Sequence, residues 1–247
     1  MLYVGLCMKK ILITGANKSI GFETARQLIK LGHFVYLGCR DIMRGEEAVK
    51  QLESEGLTNV ELVQIDISNT ASVTKAAEYL ATKADVLDTL INNAGILGSV
   101  PQIPTTVSID IVKEVFETNL FGTIRTTQAF MGLLRKSAQP VIVNVTSDLA
   151  SLANHNNPNW PYYNFKGAAY GPSKTALNAY TVALAYELRD TRFKVNAINP
   201  GYTATDFNSH QGTKNVQDSA ALIAEYALLG ADGPTGKFIS DYGETPW

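Results

Sequence analysis

The chain has 247 residues, enough to bury a sizeable core, and its 45% hydrophobic and 18% charged content is that of an ordinary soluble globular protein. A net charge of −2 without any run of Lys or Arg argues against nucleic acid or an anionic membrane as partner. No apolar run reaches the roughly 18 residues a membrane span needs, and the opening MLYVGLC lacks the basic start and cleavage site of a signal peptide. Cys7 and Cys39 sit in no metal-type spacing, which suggests a reducing, cytoplasmic setting and no structural disulfide. Met8 stands just before Lys9 and Lys10, so residues 1–7 read as an upstream extension that intact-mass analysis of the native protein would test.

Apolar runs suited to buried strands recur at 11–13, 34–37, 60–65, 86–91, 141–145, 193–198 and 237–239. Helical stretches lie between them, at about 20–31, 43–55, 70–83, 109–136, 172–190 and 217–229. This alternation predicts parallel strands joined by right-handed crossovers, a doubly wound α/β sheet of about seven strands with helices on both faces. No repeat, low-complexity tract or linker marks a second domain, so residues 1–247 read as one domain.

The turn after the first strand, residues 14–21, reads Thr-Gly-Ala-Asn-Lys-Ser-Ile-Gly and opens a helix. Gly15 and Gly21, with Asn17, Lys18, Ser19 and Ile20 between them, suit a tight turn whose backbone N–H groups meet a pyrophosphate at a helix N-terminus. A glycine turn also serves backbone reasons alone, and the nucleotide reading rests on its place in the first strand–helix unit. Ser19 stands where a glycine would leave the loop more open, and its hydroxyl can donate to a phosphate.

About 20 residues further on, NAD sites place an acidic residue for the ribose hydroxyls; here the second strand ends in Cys39 and Arg40. A carboxylate would repel a 2′-phosphate, whereas the Arg40 guanidinium can grip it bidentately and Lys18 can approach it from the turn. The expected cofactor is therefore NADPH/NADP+, against the alternative that these are solvated surface charges; Asp41 is the nearby acid that weighs against it. Asp66, followed by Ile67, either accepts from an adenine amine or caps the helix that starts near Asn69. The fourth strand runs into Asn92, Asn93, Ala94 and Gly95, small residues that suit close passage of a cofactor, although Asn-rich turns also have structural uses.

Tyr170 and Lys174 lie four apart at the head of a helical run over 173–189, whose expected buried stripe is Ala176, Tyr180, Ala183, Leu184 and Leu188. A cation held beside a phenol favours the phenolate and draws its pKa toward neutrality, where it can exchange a proton with a substrate. A surface aromatic–lysine pair is the plain alternative.

The pieces at 14–21, Asp66, 92–95, Asn119, Ser147, Tyr170 with Lys174, and Pro200-Gly201 together resemble the short-chain dehydrogenase/reductase family over essentially the whole chain; the glycine turn departs from its pattern at Ser19. Arg40, the long interval before Tyr170 and the tail at 236–247 resemble its NADPH-dependent carbonyl reductases. The resemblance implies a Rossmann-fold oxidoreductase that passes a hydride from NADPH to an aldehyde or ketone. It implies that Tyr170 gives the proton, Ser147 fixes the carbonyl oxygen, and Lys174 holds the nicotinamide ribose and lowers the tyrosine's pKa. It further implies that Asn119, through a helix irregularity and a water, connects Lys174 to solvent. Pro200, Gly201, Thr203 and Thr205 would shape a turn against the nicotinamide. Rival readings are an NADP-linked alcohol or hydroxysteroid dehydrogenase and a non-catalytic NADP(H) sensor; sensors of that kind commonly lose the tyrosine or lysine, both kept here. No metal is expected, because His33, His155 and His210 are unclustered. Trp160, Tyr162, Tyr163 and Phe165, in the added stretch before Tyr170, either wall an apolar pocket or anchor that loop. Only a short segment separates Asp206 from the next helix, which suggests an open cleft. The added stretch would crowd a helix face the family uses to form tetramers, so a monomer is expected, and light scattering would test it.

Overall fold

The computed structural model describes residues 8–247; the expectation for residues 1–7 lies outside them. Among the described residues eight strands form: β1 (Lys10–Thr14), β2 (Phe34–Cys39), β3 (Val60–Gln64), β4 (Thr89–Asn92), β5 (Val141–Val145), β6 (Lys194–Ile198), β7 (Phe238–Ser240) and β8 (Gly243–Glu244). They make one sheet in the order β3-β2-β1-β4-β5-β6-β7-β8, parallel as far as β7, with β8 antiparallel on its edge. The α-helices are α1 (Ser19–Lys30), α2 (Ile42–Ser54), α3 (Thr70–Lys83), α4 (Ile109–Phe116), α5 (Thr123–Leu134), α6 (Leu152–His155), α7 (Tyr170–Glu187) and α8 (Val216–Ala227). None among the described residues is long and apolar enough to cross a membrane.

Strand residues alternate between two cores, as a period of two requires. Ile11, Ile13, Val35 and Leu37 pack against α1, α2 and α8 through Leu28, Leu52 and Ile223. Leu12, Tyr36, Leu90, Ile142 and Val195 pack against α3, α5 and α7 through Leu80, Phe130 and Leu184. Each fully buried side chain of this size contributes about 1.5–3 kcal/mol, so both faces hold their helices firmly. Because β1 lies between β2 and β4, the chain winds outward one way and then the other. The reversal opens a crevice at the carboxyl ends of β1 and β4.

The fold corrects four expectations. The sheet has an eighth strand, a two-residue return too short and too exposed to leave an apolar signal. The fourth strand starts at Thr89 rather than 86, since Asp88 turns its carboxylate back to the Lys10 N–H (2.8 Å) and the Ser137 hydroxyl (2.6 Å). The helix expected over 109–136 is interrupted by a π-helical segment, Glu117–Gly122, and α5 ends at Leu134. A wide turn inside a helix frequently marks a functional site. In α7 the buried stripe is Lys174, Leu177, Asn178, Thr181, Leu184 and Ala185, while Ala176 and Tyr180 are only partly covered and Ala183 is exposed.

That stripe is displaced because the interior it faces is polar. Asn92 Nδ2 donates to Asn144 Oδ1 (2.9 Å) and Thr127 Oγ1 (3.1 Å), Asn144 Nδ2 donates to Thr181 Oγ1 (2.9 Å), and Thr146 Oγ1 donates to Asn178 Oδ1 (2.8 Å). An apolar count along α7 reads Asn178 and Thr181 as surface, whereas paired polar groups sit well in a core. Asn144→Leu, which removes one hydrogen bond to β4 and one to α7, should cost about 1–3 kcal/mol in urea unfolding; no change in midpoint would show that the network is idle.

Candidate active site

The glycine turn between β1 and α1 presents bare backbone to the crevice. Gly15 has φ +65° and Ser19 φ +52°, so Ser19 adopts the left-handed conformation that a glycine takes without strain. A Cβ on Gly21 would lie 2.5 Å from Asn93 Nδ2 and 2.7 Å from the Gly15 carbonyl, so only hydrogen fits there. Asn93 Nδ2 donates to the carbonyls of Thr14 (2.9 Å) and Gly15 (3.1 Å), while Thr14 Oγ1 accepts from the Asn93 and Ala94 N–H groups (3.1 Å each). Asn93 and Ala94 thus brace the turn. No side chain caps α1, so the N–H groups at its start remain for an anion. This bare cradle fits a dinucleotide pyrophosphate.

Beside it lies a polar hollow of about 470 Å³ lined by Asn17, Lys18, Arg44, Glu47, Ala48, Gln51 and Asp206. Arg40 is exposed at its edge of the sheet, directly after β2. Asp41 is the N-cap of α2, accepting from the Arg44 N–H at 3.2 Å, so its carboxylate is employed on the helix. Sequence reasoning missed Arg44; the available signal was a second cation one helical turn past Arg40. Asp66 accepts from the Ser68 N–H (3.0 Å) and hydroxyl (2.6 Å), and the cap of α3 is Asn69. Of the two readings of Asp66, the helix cap is therefore excluded. Ile67 is buried against Gly122, where a Cβ would lie 2.9 Å from Ile67 Cδ1.

At the carboxyl end of β5, Ser147 opens a short 3-10 turn, Asp148–Ala150, and its Oγ accepts from the Leu149 N–H at 3.2 Å. Tyr170 is the first residue of α7. The helix has no cap of its own; Gln102, another residue the sequence did not single out, supplies Oε1 to the Tyr170 N–H at 3.0 Å. Lys174, one turn on and 5% exposed, donates from Nζ to the Val145 carbonyl (2.9 Å) and stands 6.0 Å from the Tyr170 ring centroid. Asn119, fully buried in the π segment, donates to the Ile96 carbonyl (2.9 Å) and Ser173 Oγ (3.0 Å) and accepts from the Ile96 N–H (2.8 Å). A Cβ on Gly95 would lie 3.2 Å from Asn119 Oδ1 and 3.5 Å from Lys174 Nζ, so the glycine keeps the space between them clear. The four residues expected to act together are thus drawn to one rim of the sheet.

The electrostatics differ from expectation. Burial pushes the Tyr170 phenol up to about 12, with Ser147 opposing the shift, and burial lowers the Lys174 ammonium to about 8. The ammonium was expected to draw the phenol down; in this enclosed site desolvation of the phenolate is the larger effect. Tyr170 consequently carries its proton at neutral pH. For Lys174 the unfolded chain binds the extra proton between about 8 and its ordinary 10.5, so stability rises with pH across that window. Below it the buried charge opposes folding by on the order of 3 kcal/mol. From pH 8 toward 10, before Tyr170 begins to contribute in the opposite sense, wild type should gain roughly 2–3 kcal/mol on Lys174→Met in urea titrations. Parallel pH profiles would refute the burial of that charge.

The turn after β6 is shaped by Pro200 and by Gly201 at φ +82°. Thr203 Oγ1 is committed to Ser219 Oγ (2.6 Å), and the Thr205 N–H donates to Asn208 Oδ1 (3.2 Å), so both threonines hold the turn together. The cleft is not left open as expected: Asp206 pairs with Lys18 at 3.1 Å, and the Phe207 ring packs 5.5 Å from that of Tyr170, so the short segment spans the glycine turn and the start of α7. In the added loop, Trp160 packs on Tyr162 (5.4 Å) and Tyr162 on Tyr202 (6.1 Å), so these rings fasten the loop to the turn after β6.

A family model described as short chain dehydrogenase matches residues 9–216. The chain is 31% identical to (+)-neomenthol dehydrogenase of Capsicum annuum, over 92% of this chain and 94% of the relative. It is 32% identical to the NADPH carbonyl reductase 1 of Rattus norvegicus, over 96% and 97% of the two chains. Among solved structures, NADPH-bound carbonyl reductase from chicken fatty liver superimposes with TM-score 0.84 at 27% identity, covering 98% of this chain and 100% of that one. Salutaridine reductase from Papaver somniferum does so with TM-score 0.82 at 28% identity, covering 94% and 99%.

Proposed function

The chain belongs to the short-chain dehydrogenase family, and on that premise we propose that it is an NADPH-dependent reductase of aldehydes or ketones. The observation that carries this reading is the juxtaposition of the partly buried Tyr170 with Ser147 and, one helical turn on, the buried Lys174, at the rim of the crevice where β1 and β4 diverge. A reduced nicotinamide dinucleotide bound in that crevice supplies the hydride. The uncapped start of α1 and the turn at Gly15 and Gly21 receive its pyrophosphate, and Lys18, Arg40 and Arg44 its 2′-phosphate. Lys18 then exchanges Asp206 for that phosphate.

Charge that develops on a carbonyl oxygen needs donors already in place. Tyr170 passes its proton to that oxygen, and Ser147 Oγ gives it a second hydrogen bond. Lys174, held by the Val145 carbonyl, offers its remaining N–H bonds to the ribose and its charge to the phenolate left behind. Asn119 braces this end of α7 through Ser173 and lies on the route by which Lys174 regains a proton. The same residues serve an NADP-linked alcohol dehydrogenase run in reverse; protonated at neutral pH, Tyr170 stands ready in the reducing direction. The relatives with reductase names support the same direction.

The test is NADPH consumption with aliphatic, aryl and dicarbonyl substrates, each repeated with NADH. Turnover with NADPH is expected. Cofactor binding without turnover on any carbonyl would instead favour a sensor.

A further inference from the structure

One short stretch after the β6 turn touches both halves of the site. Asp206, Phe207 and Asn208 form a 3-10 turn, and local bonds make the piece compact. The Thr205 N–H donates to Asn208 Oδ1 (3.2 Å), the His210 N–H donates to the Thr205 carbonyl (2.9 Å), and His210 Nε2 meets Asp206 Oδ1 (2.9 Å). Its base is fixed. Asn208 Nδ2 donates to the Thr203 carbonyl (2.9 Å), a Cβ on Gly212 would lie 2.1 Å from the Thr203 carbonyl carbon, and Lys214 is paired with Asp241 (2.8 Å). Its tip is held less firmly. Among the described residues, the side chains of 206–211 make one polar contact beyond 203–214, Asp206 Oδ2 with Lys18 Nζ at 3.1 Å. Both partners are more than half exposed, and a pair so exposed holds weakly. Ser209 and His210 stand at φ +54° and +59°, a conformation that strains residues other than glycine, so the tip is also under tension.

The tip's other hold is the Phe207 ring, 5.5 Å from that of Tyr170. Asp206 and Phe207 are neighbours in one turn, so a shift of the carboxylate carries the ring with it. Lys18 meanwhile lines the polar hollow with Arg44 and Gln51. A phosphate dianion there is a stronger partner for the ammonium than one carboxylate, and it repels Asp206. A ligand moves an equilibrium only through unequal affinity for its two states; phosphate and Asp206 compete for one ammonium, which supplies that inequality.

We propose that residues 205–211 are a strap over Tyr170 which the cofactor's 2′-phosphate unlatches through Lys18, so that Asp206 reserves carbonyl access for the phosphorylated cofactor. The proposal rests on the NADPH reductase reading and adds a positioning residue, Asp206, to it. With NADH the pair stays closed and Phe207 stays on Tyr170. The plain alternative is a surface ion pair beside a fixed aromatic wall.

The experiment follows hydrogen exchange of the 205–211 amides in wild type, free and saturated with adenosine 2′,5′-bisphosphate or with adenosine 5′-monophosphate. Exchange should quicken about threefold to fivefold with the bisphosphate, the range an exposed ion pair supports, and stay unchanged with the monophosphate. In Asp206→Asn it should be fast already and indifferent to either nucleotide. Steady-state rates on cyclohexanone are the second measurement. In wild type its KM should be about threefold to fivefold lower with NADPH than with NADH, and Asp206→Asn should remove that gap by lowering the NADH value. Exchange that ignores the 2′-phosphate, or a KM gap that survives Asp206→Asn, would overturn the proposal. Exchange that responds to the bisphosphate while no ketone is reduced would sink the reductase reading and leave the latch standing. Ketone reduction with an unresponsive strap would do the reverse.

Discussion

Tyr170→Phe should lower kcat for carbonyl reduction by about 10²–10⁴-fold, roughly 3–5 kcal/mol of barrier, while NADPH still binds. The expectation follows from what the hydroxyl does and does not touch. The ring packs 5.5 Å from Phe207 and keeps Lys174 Nζ 6.0 Å from its centroid, contacts that phenylalanine preserves. The hydroxyl itself answers only to Ser147, and burial holds its proton to about pH 12. Removing it therefore takes away the proton donor and little else. Since the phenol is a costly group to desolvate, the variant should be no less stable than wild type. Titration of NADPH fluorescence should give a Kd within a few-fold of the parent. The measurement must use deuterated NADPH to establish that hydride transfer limits turnover. A variant that keeps more than a tenth of wild-type kcat under that condition would remove Tyr170 from the chemistry and return the proton to solvent.

The residues of this site were legible in the sequence where backbone geometry demands a residue type. Gly15 and Gly21 announce the first turn because no side chain fits them, and Tyr170 and Lys174 announce themselves by one turn of helix. Environment was not legible. The spacing of Tyr170 and Lys174 is compatible with a phenol lowered by a cation or raised by burial, and only the packing around α7 decides between them. Nor does spacing show a stripe of Asn178 and Thr181 facing inward, because a buried amide looks apolar only once Asn144 and Thr146 stand opposite it. Long-range partners were likewise hidden: Gln102 lies 68 residues from the helix it caps, and Asp206 lies 188 residues from the lysine it pairs with. The π segment around Asn119 came from family resemblance alone; nothing in the periodicity of 109–136 marks it.

Arg40→Asp should reverse the cofactor preference, lowering kcat/KM with NADPH by about 10²–10³-fold and leaving NADH within a few-fold. A bidentate guanidinium–phosphate contact is worth about 1.5–3 kcal/mol for each charged hydrogen bond, and at this exposed position solvent screens part of it. The aspartate then adds repulsion toward the 2′-phosphate and an acceptor for the ribose hydroxyls of NADH. Lys18 and Arg44 remain in the polar hollow and bound the loss, so Lys18→Gln in the Arg40→Asp background should lower NADPH use further while sparing NADH. Salt dependence supplies an independent readout: each cation removed from the phosphate should flatten the decline of NADPH affinity with ionic strength. The substitution lies after β2 and ahead of the Asp41 cap of α2, on an exposed side chain, so folding should be unaffected and the kinetic ratio interpretable. An unchanged NADPH-to-NADH ratio would mean that the 2′-phosphate is read elsewhere. Arg44, already beside Lys18 in that hollow, would then be the residue to reverse next.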